Sequence, residues 1–159
     1  MTRREGYGLD RLLQALEQAR SLYQPVALLV APRTKATAAA LGEAARALDT
    51  RVLNLNLALG AALGPLSAQA RRLELARLLD DLAREVPGQA LVLDGTEILF
   101  EPSLGHDPLR LLQGLSRSRP VLALWPGSRQ GGVLLYGPTG HPEHRRYESH
   151  GAILVDPGG

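Results

Sequence analysis

Residues 31–37 combine the residue types that hold phosphate groups in proteins. They read Ala-Pro-Arg-Thr-Lys-Ala-Thr and lie between an apolar run, 25–30, and an Ala-rich stretch, 38–48. A phosphate-binding loop needs inward-pointing backbone N–H groups, the amino end of a helix and a cation that reaches the outer phosphates. The chain has 18 basic residues, and its one lysine, Lys35, lies in this loop. We therefore predict a phosphate site formed by Ala31, Pro32, Arg33, Thr34, Lys35, Ala36 and Thr37.

The loop departs from the ordinary pattern, Gly-x-x-x-x-Gly-Lys-[Ser/Thr]. Ala31 and Ala36 stand at the two glycine positions, and Lys35 comes one place before the second of them instead of one place after it. If the loop is one residue shorter than usual, the Thr37 hydroxyl is a candidate Mg²⁺ ligand. The alternative is an ordinary strand-to-helix turn that carries Arg33 and Lys35 on its surface, and the motif alone leaves both interpretations open.

A second candidate group is the carboxylate of Asp94. Residues 91–94 read Leu-Val-Leu-Asp, which is the Walker B form, in which an aspartate at the end of an apolar strand holds Mg²⁺, usually through water. Many enzymes with this form continue with a glutamate that activates water, whereas here Gly95 follows and Glu97 is the nearest carboxylate. We predict Asp94 as the metal-holding residue and Glu97 as a candidate catalytic base. The alternative is an aspartate that only starts a turn.

Two arginines, Arg117 and Arg119, precede the apolar run 120–125. An arginine in this position is a candidate catalytic residue that reaches the phosphates of a neighbouring subunit, as arginine fingers do. The interpretation that we favour is a solvated charge that complements the dipole at a helix carboxyl end.

Residues 140–147, Gly-His-Pro-Glu-His-Arg-Arg-Tyr, contain two histidines three positions apart, His141 and His144. A proline stands between them, and no cysteine or acidic partner has suitable spacing, which argues against a metal site. We expect a surface docking segment.

Apolar periodicity predicts the elements that position these residues. Helices are expected at 9–23, 38–48, 68–85 and 107–117. Strands are expected at 25–30, 51–57, 90–94, 120–125, 133–136 and 152–155. Loops are expected at 31–37, 60–65 and 95–105, and 138–159 is a polar carboxyl-terminal segment. The alternation in 51–57 indicates an edge strand. The apolar helix faces are expected to include Tyr23 in the first helix and Leu73, Ala76, Leu79 and Leu82 in the third.

Strands that alternate with helices predict an α/β fold with a mainly parallel sheet. We expect one three-layer αβα domain of the P-loop NTPase type over residues 1–159, with about five strands in the order 5-1-4-3-2. We also expect the strand that ends in Asp94 to lie beside the first strand.

Composition narrows the classes of protein to consider. The chain has 159 residues, of which 45% are hydrophobic, so one core is well supplied. It has no cysteine, which excludes disulfides and thiolate metal sites. A net charge of +2 is too small to argue for nucleic-acid binding. Without a long apolar run, we expect a soluble, cytoplasmic protein that has no membrane partner.

Four stretches of the chain resemble one family of proteins. They are 92–100, 107–119, 121–127 and 140–147, and the resemblance extends from about residue 10 to residue 155. They resemble the BrxF family, the small P-loop proteins of type III bacteriophage-exclusion (BREX) systems. The resemblance implies a component of a multi-protein antiphage system that acts beside a DNA methyltransferase and a large ATPase. It also implies that 31–37 is the phosphate loop and that Asp94 is the Walker B carboxylate.

The leading hypothesis from the sequence is a component that binds ATP and Mg²⁺ and has weak or oligomer-dependent ATPase activity. The expected partners are other BREX proteins and further copies of the chain, with DNA contacted directly or through the complex. The alternative is a pseudo-NTPase, which keeps the fold as a scaffold or adaptor for defence proteins or DNA and binds no nucleotide. An unrelated hydrolase is weaker, because the chain has no cysteine nucleophile and no Gly-x-Ser-x-Gly motif.

Overall fold

A computed structural model describes residues 8–137, 144–149 and 151–156. The helices are α1 (Leu9–Ala19), α2 (Lys35–Ala47), α3 (Leu55–Leu63), α4 (Ala68–Arg84) and α5 (Pro108–Leu115). The strands are β1 (Val26–Val30), β2 (Val52–Asn54), β3 (Leu91–Asp94), β4 (Val121–Trp125), β5 (Ser128–Gln130), β6 (Val133–Tyr136), β7 (Arg145–Glu148) and β8 (Ile153–Val155). Two short 3₁₀ helices, Thr96–Phe100 and Pro102–Leu104, follow β3.

The main sheet has five parallel strands in the order β2-β3-β4-β1-β8. This confirms the predicted α/β class and, with β8 as the fifth strand, the predicted order 5-1-4-3-2. The other expectation is wrong, because β1 pairs with β4 and β8 and the strand that ends in Asp94 is not its neighbour. The chain passes from β3 through α5 to β4, and this connection inserts β4 between β3 and β1.

Helices cover both faces of the main sheet and form two separate apolar cores. Along β1, Val26, Leu28 and Val30 pack in one core, whereas Ala27 and Leu29 pack in the other. The first core contains the buried apolar residues of α3, α4 and α5, and the second contains those of α1 and α2. Because side chains alternate along a strand, a strand buried on both faces needs the uninterrupted apolar sequence that β1, β3 and β4 have.

A second, antiparallel sheet has the order β5-β6-β7. The predicted strand 133–136 therefore exists as β6, but it lies outside the main sheet. The indole nitrogen of Trp125, at the end of β4, donates a hydrogen bond to the carbonyl of Leu135 at 3.1 Å. Gly127 lets the two chain segments approach this closely, since a Cβ there would lie 2.1 Å from that carbonyl oxygen.

Two predicted elements near the carboxyl edge have different bounds. The predicted strand 51–57 ends at Asn54, where the side chain accepts a hydrogen bond from the Leu57 amide at 3.2 Å and caps α3. Helix α3 thus replaces part of the expected strand and part of the loop 60–65. Helix α2 begins at Lys35 and not at 38, because Thr34 caps it.

The predicted apolar faces also need correction. Helix α1 ends at Ala19, and Tyr23 beyond it is 99% exposed. In α4 the buried residues are Leu75, Leu79 and Ala83, at four-residue spacing, whereas Leu73 is 73% exposed. The predicted apolar face is therefore rotated around the helix relative to the observed buried face, and Leu79 is the one residue that belongs to both. No helix within the described ranges has the length and apolar character to cross a bilayer.

Candidate functional site

The β1–α2 loop is short and tightly hydrogen-bonded. The Ala31 amide donates to the carbonyl of Trp125 at 3.1 Å, which extends the β1–β4 pairing by one residue. The amide of Thr37 donates to the Thr34 hydroxyl at 3.1 Å, and the amide of Thr34 donates to the Thr37 hydroxyl at 2.8 Å. These reciprocal bonds are a capping box, which fixes the start of α2.

The capping box limits which loop amides are available to an anion. Ala31, Thr34 and Thr37 use their amides within the fold, and Pro32 has none. The amides of Arg33, Lys35 and Ala36 make no hydrogen bond to the described residues. Three of the seven predicted loop residues therefore retain donors, at the amino end of α2, where the helix dipole favours negative charge.

Arg33 joins this loop to the end of β3. Its Nε donates to Asp94 Oδ1 at 3.2 Å and lies 4.0 Å from Glu97 Oε2. Asp94 is buried, and the same Oδ1 accepts a hydrogen bond from the Gly95 amide at 2.7 Å. The Arg33 side chain is 39% exposed, whereas that of Asp94 is 7% exposed. The loop and Asp94 thus meet across β4 through a long side chain, although their strands are not neighbours.

Gly95 explains why no glutamate follows Asp94. Its φ of 62° lies in the left-handed region, which residues other than glycine rarely adopt. A Cβ there would lie 2.1 Å from Asn54 Oδ1 and 3.0 Å from the Asn56 amide nitrogen. The fold therefore excludes a side chain at the position where the Walker B form often has its catalytic glutamate.

Asn56 holds Glu97 in place, and sequence reasoning missed it. Its Nδ2 donates to Glu97 Oε1 at 3.0 Å, and its Oδ1 accepts from the Ile98 amide at 3.0 Å. Asn54 ends the edge strand β2, where it pairs with Asp94, and Asn56 lies in the first turn of α3 directly after it. The two asparagines in the Asn-Leu-Asn sequence at 54–56 indicate the end of a strand and the cap of a helix. However, the alternation of polar and apolar residues there favours a continuous strand when the sequence is considered alone.

Mg²⁺ does not fit the residues predicted to bind it. The Thr37 side chain is fully buried, and its hydroxyl donates to the Thr34 carbonyl at 2.9 Å while it accepts from the Thr34 amide. These bonds use the hydroxyl proton and one of its two lone pairs, and the burial of the side chain keeps the other lone pair away from a metal ion in the solvent. On Asp94, Oδ1 already faces the Arg33 guanidinium. Within the described part of the chain, no three acidic or histidine side chains form a metal-binding group.

Arg117 and Arg119 lie at the opposite edge of the main sheet, ahead of the amino end of β4. Arg119 donates to the carbonyl of Ala83 in the last turn of α4 and to the carbonyl of Gly88 at 2.8 Å. Arg119 therefore contacts the carboxyl end of α4, and not that of the helix that precedes it in the chain, α5. Arg117 lines a cavity of about 250 Å³ between the ends of α4 and α5. Neither side chain therefore reaches Asp94 of its own chain.

The second sheet approaches the candidate site beside Glu97. A cavity of about 90 Å³ there is lined by Glu97, Phe100, Glu101, Pro102, Tyr136 and Arg145. From the predicted docking segment, the His144 ring contacts the carbonyl of Gly137 at 3.1 Å. His141 lies outside the described residues.

Comparisons with protein-family models, with curated proteins and with solved structures find no match to this chain.

Proposed function

We propose that this chain is a nucleotide-binding P-loop component of a BREX antiphage assembly, and that it binds ATP where the β1–α2 loop meets Asp94. The observation that carries the proposal is the 3.2 Å contact between Arg33 and Asp94, which joins the loop to the end of β3. In open α/β sheets, ligands bind outside the carboxyl ends of the strands. The BREX context comes from the resemblance of residues 92–147 to the BrxF family.

Charge supports an anionic ligand at this edge. Lys35 is exposed in the first turn of α2, and it has no ion-pair partner among the residues that the structure describes. The free amides of Arg33, Lys35 and Ala36 lie at the same helix end. Together they supply backbone donors, a dipole and cations, which is the combination that phosphate groups require.

The isolated chain is expected to hydrolyse ATP weakly. No glutamate follows Asp94, Glu97 is held by Asn56, and Arg117 lies at the opposite edge of the sheet. Efficient turnover therefore needs a group from elsewhere, and a second copy of the chain that presents Arg117 is the proposed source. We expect the kcat of the dilute monomer to lie at least ~100-fold below the lower end of the usual range for enzymes, which is about 1–10³ s⁻¹.

The experiment is a calorimetric and thermal titration of the purified chain with ATP. Binding to the folded state alone stabilises it by about 2.7 kcal/mol when ATP is ~100-fold above Kd. The variant Lys35→Ala is expected to raise the Kd about tenfold. Arg46→Ala, in the last turn of the same helix, is the matched control and leaves the Kd unchanged. Equal losses of ATP affinity in the two variants would contradict binding at the amino end of α2.

The second candidate function is a scaffold that keeps the fold and binds no nucleotide. It is favoured by the loop itself, in which four of the seven residues have no free amide. On this account, ATP leaves the unfolding temperature unchanged, while partner proteins or DNA still bind. A thermal shift with ATP that Lys35→Ala reduces would exclude the scaffold function.

A further inference from the structure

We propose that Arg33 takes the place of the divalent cation at Asp94, so that this chain binds nucleotide phosphates without Mg²⁺. The inference rests on the proposed function and specifies the form of its ligand, which is the metal-free nucleotide. It starts from the mismatch between the site and Mg²⁺: the Thr37 hydroxyl is buried in the capping box, and Oδ1 of Asp94 faces a guanidinium.

The position of Arg33 between two carboxylates is the first step of the argument. Its Nε lies 3.2 Å from Asp94 Oδ1 and 4.0 Å from Glu97 Oε2. A cation that neutralises an aspartate at the end of β3 is what Mg²⁺ supplies in the Walker B form. Here the side chain supplies that positive charge permanently, because a guanidinium does not deprotonate in proteins.

The second step is that Arg33 retains donors for a ligand. Only its Nε is used toward Asp94, and its two terminal nitrogens make no hydrogen bond to the described residues. A guanidinium presents five N–H groups in a fixed plane, so one edge can face a carboxylate while another faces a phosphate. Arg33 is thus able to bridge Asp94 and a phosphate oxygen, as a metal ion does.

The third step concerns charge. Arg33 and Lys35 together bring two positive charges to the loop, which equals the charge of one Mg²⁺. A divalent ion placed beside Asp94 Oδ1 would lie within a few ångströms of the guanidinium and be repelled by it. Nucleotide that arrives with bound Mg²⁺ is therefore expected to bind no better than metal-free nucleotide.

The test is the Kd for ATP, measured by calorimetry on the full chain in excess EDTA and in excess Mg²⁺. We expect the two values to agree within about threefold. Binding that is more than about tenfold weaker in EDTA would overturn the inference while leaving the proposed function intact. Absence of binding in both buffers would contradict the proposed function, and the inference with it.

Two variants test the role of Arg33 separately from folding. Arg33→Gln is expected to weaken binding in EDTA about tenfold, whereas the control Arg46→Gln leaves it unchanged. Asp94→Asn removes the carboxylate that positions Arg33, and the resulting change in Kd is expected to be the same in EDTA and in Mg²⁺ within about threefold. If Mg²⁺ linked ATP to Asp94, the same variant would lose more than about tenfold in Mg²⁺ but not in EDTA, and this result would overturn the inference even if Arg33→Gln did not fold.

Discussion

Gly95 shows how a single backbone requirement limits the chemistry beside Asp94. Its left-handed φ and the close approach of Asn54 leave no room for a side chain. The sequence shows that no glutamate follows Asp94, but it does not show why. The reason is a steric constraint that depends on where Asn54 and the residues after β2 lie. The absence of a Walker B glutamate is therefore a property of the fold at this edge.

We predict that Gly95→Ala destabilises the protein by about 2–4 kcal/mol, from left-handed strain and a steric clash together. Gly131→Ala is the matched control, since Gly131 has a similar φ of 59° but, among the residues that the structure describes, no atom within 4 Å of the position that an alanine methyl group would take. It is expected to cost only about 1–2 kcal/mol. The free energy of unfolding of both variants is measured in urea, and equal losses would show that Asn54 exerts no steric constraint.

At the scale of the elements, the start of α2 decides the shape of the loop. The sequence is sufficient to predict strand, loop and helix in this order, because the apolar run 25–30 and the Ala-rich stretch that follows are clear patterns. It does not determine the loop length, since Lys35 and Ala36 fit a loop as well as a first helical turn. The Thr34–Thr37 capping box, which favours the helix, has a threonine where the usual pattern has Glu or Gln.

We predict that Thr34→Ala destabilises the protein by about 1–2 kcal/mol, because it removes the hydroxyl that accepts from the Thr37 amide. Ser67→Ala, which removes a single capping bond at the start of α4, is the control and is expected to cost about 0.5–1 kcal/mol. Chemical denaturation compares the two. A larger loss for Ser67→Ala would show that the capping box contributes no more than an ordinary cap.

The ion pair between Arg129 on β5 and Asp156 after β8 connects the two sheets, at distances of 3.0 and 2.5 Å. The hydrogen bond from Arg129 lowers the pKa of Asp156 below its ordinary value of 3.8. A carboxyl group whose pKa is lower in the folded state than in the unfolded state stabilises the fold at pH values above its unfolded-state pKa. This contribution is lost as the pH falls through the folded-state pKa.

We predict that Arg129→Ala lowers the free energy of unfolding at neutral pH by at most about 1 kcal/mol, because both side chains are partly exposed. The difference from the wild type is expected to shrink to nothing well below pH 3.8. Unfolding experiments across the acid range measure it, with Asp156→Asn as the second variant. A difference that persists in acid would mean that Arg129 acts through packing and not through its charge.

At the scale of the whole molecule, the parallel strands place their carboxyl ends at one edge of the main sheet and their amino ends at the opposite edge. The order 5-1-4-3-2 is predictable from the alternation of elements and the P-loop interpretation, but the expected contact between the first and third strands is wrong, since β4 lies between them. The contact across β4 depends on one long side chain, Arg33, which periodicity does not reveal. Candidate groups at the amino edge, such as Arg117, belong to another surface of the molecule.

We predict that Arg117→Ala leaves the affinity of the isolated chain for ATP within about twofold of the wild type, because Arg117 lies at the far edge. If copies of the chain associate so that Arg117 reaches a neighbouring site, the same variant lowers turnover at concentrations where the chain is oligomeric. Calorimetry and a turnover assay across protein concentration separate the two effects. A loss of affinity of about tenfold in the monomer would contradict the separation of the edges.

The most direct measurement of the central claim is a backbone amide NMR titration of the isotope-labelled chain with ATP. If phosphate groups bind where the β1–α2 loop meets Asp94, the largest shifts occur at the free amides of Arg33, Lys35 and Ala36 and at Gly95. Amides at the amino edge, such as that of Arg117, are expected to stay unchanged. Saturating shifts confined to another surface, or no shifts at millimolar ATP, would contradict the account.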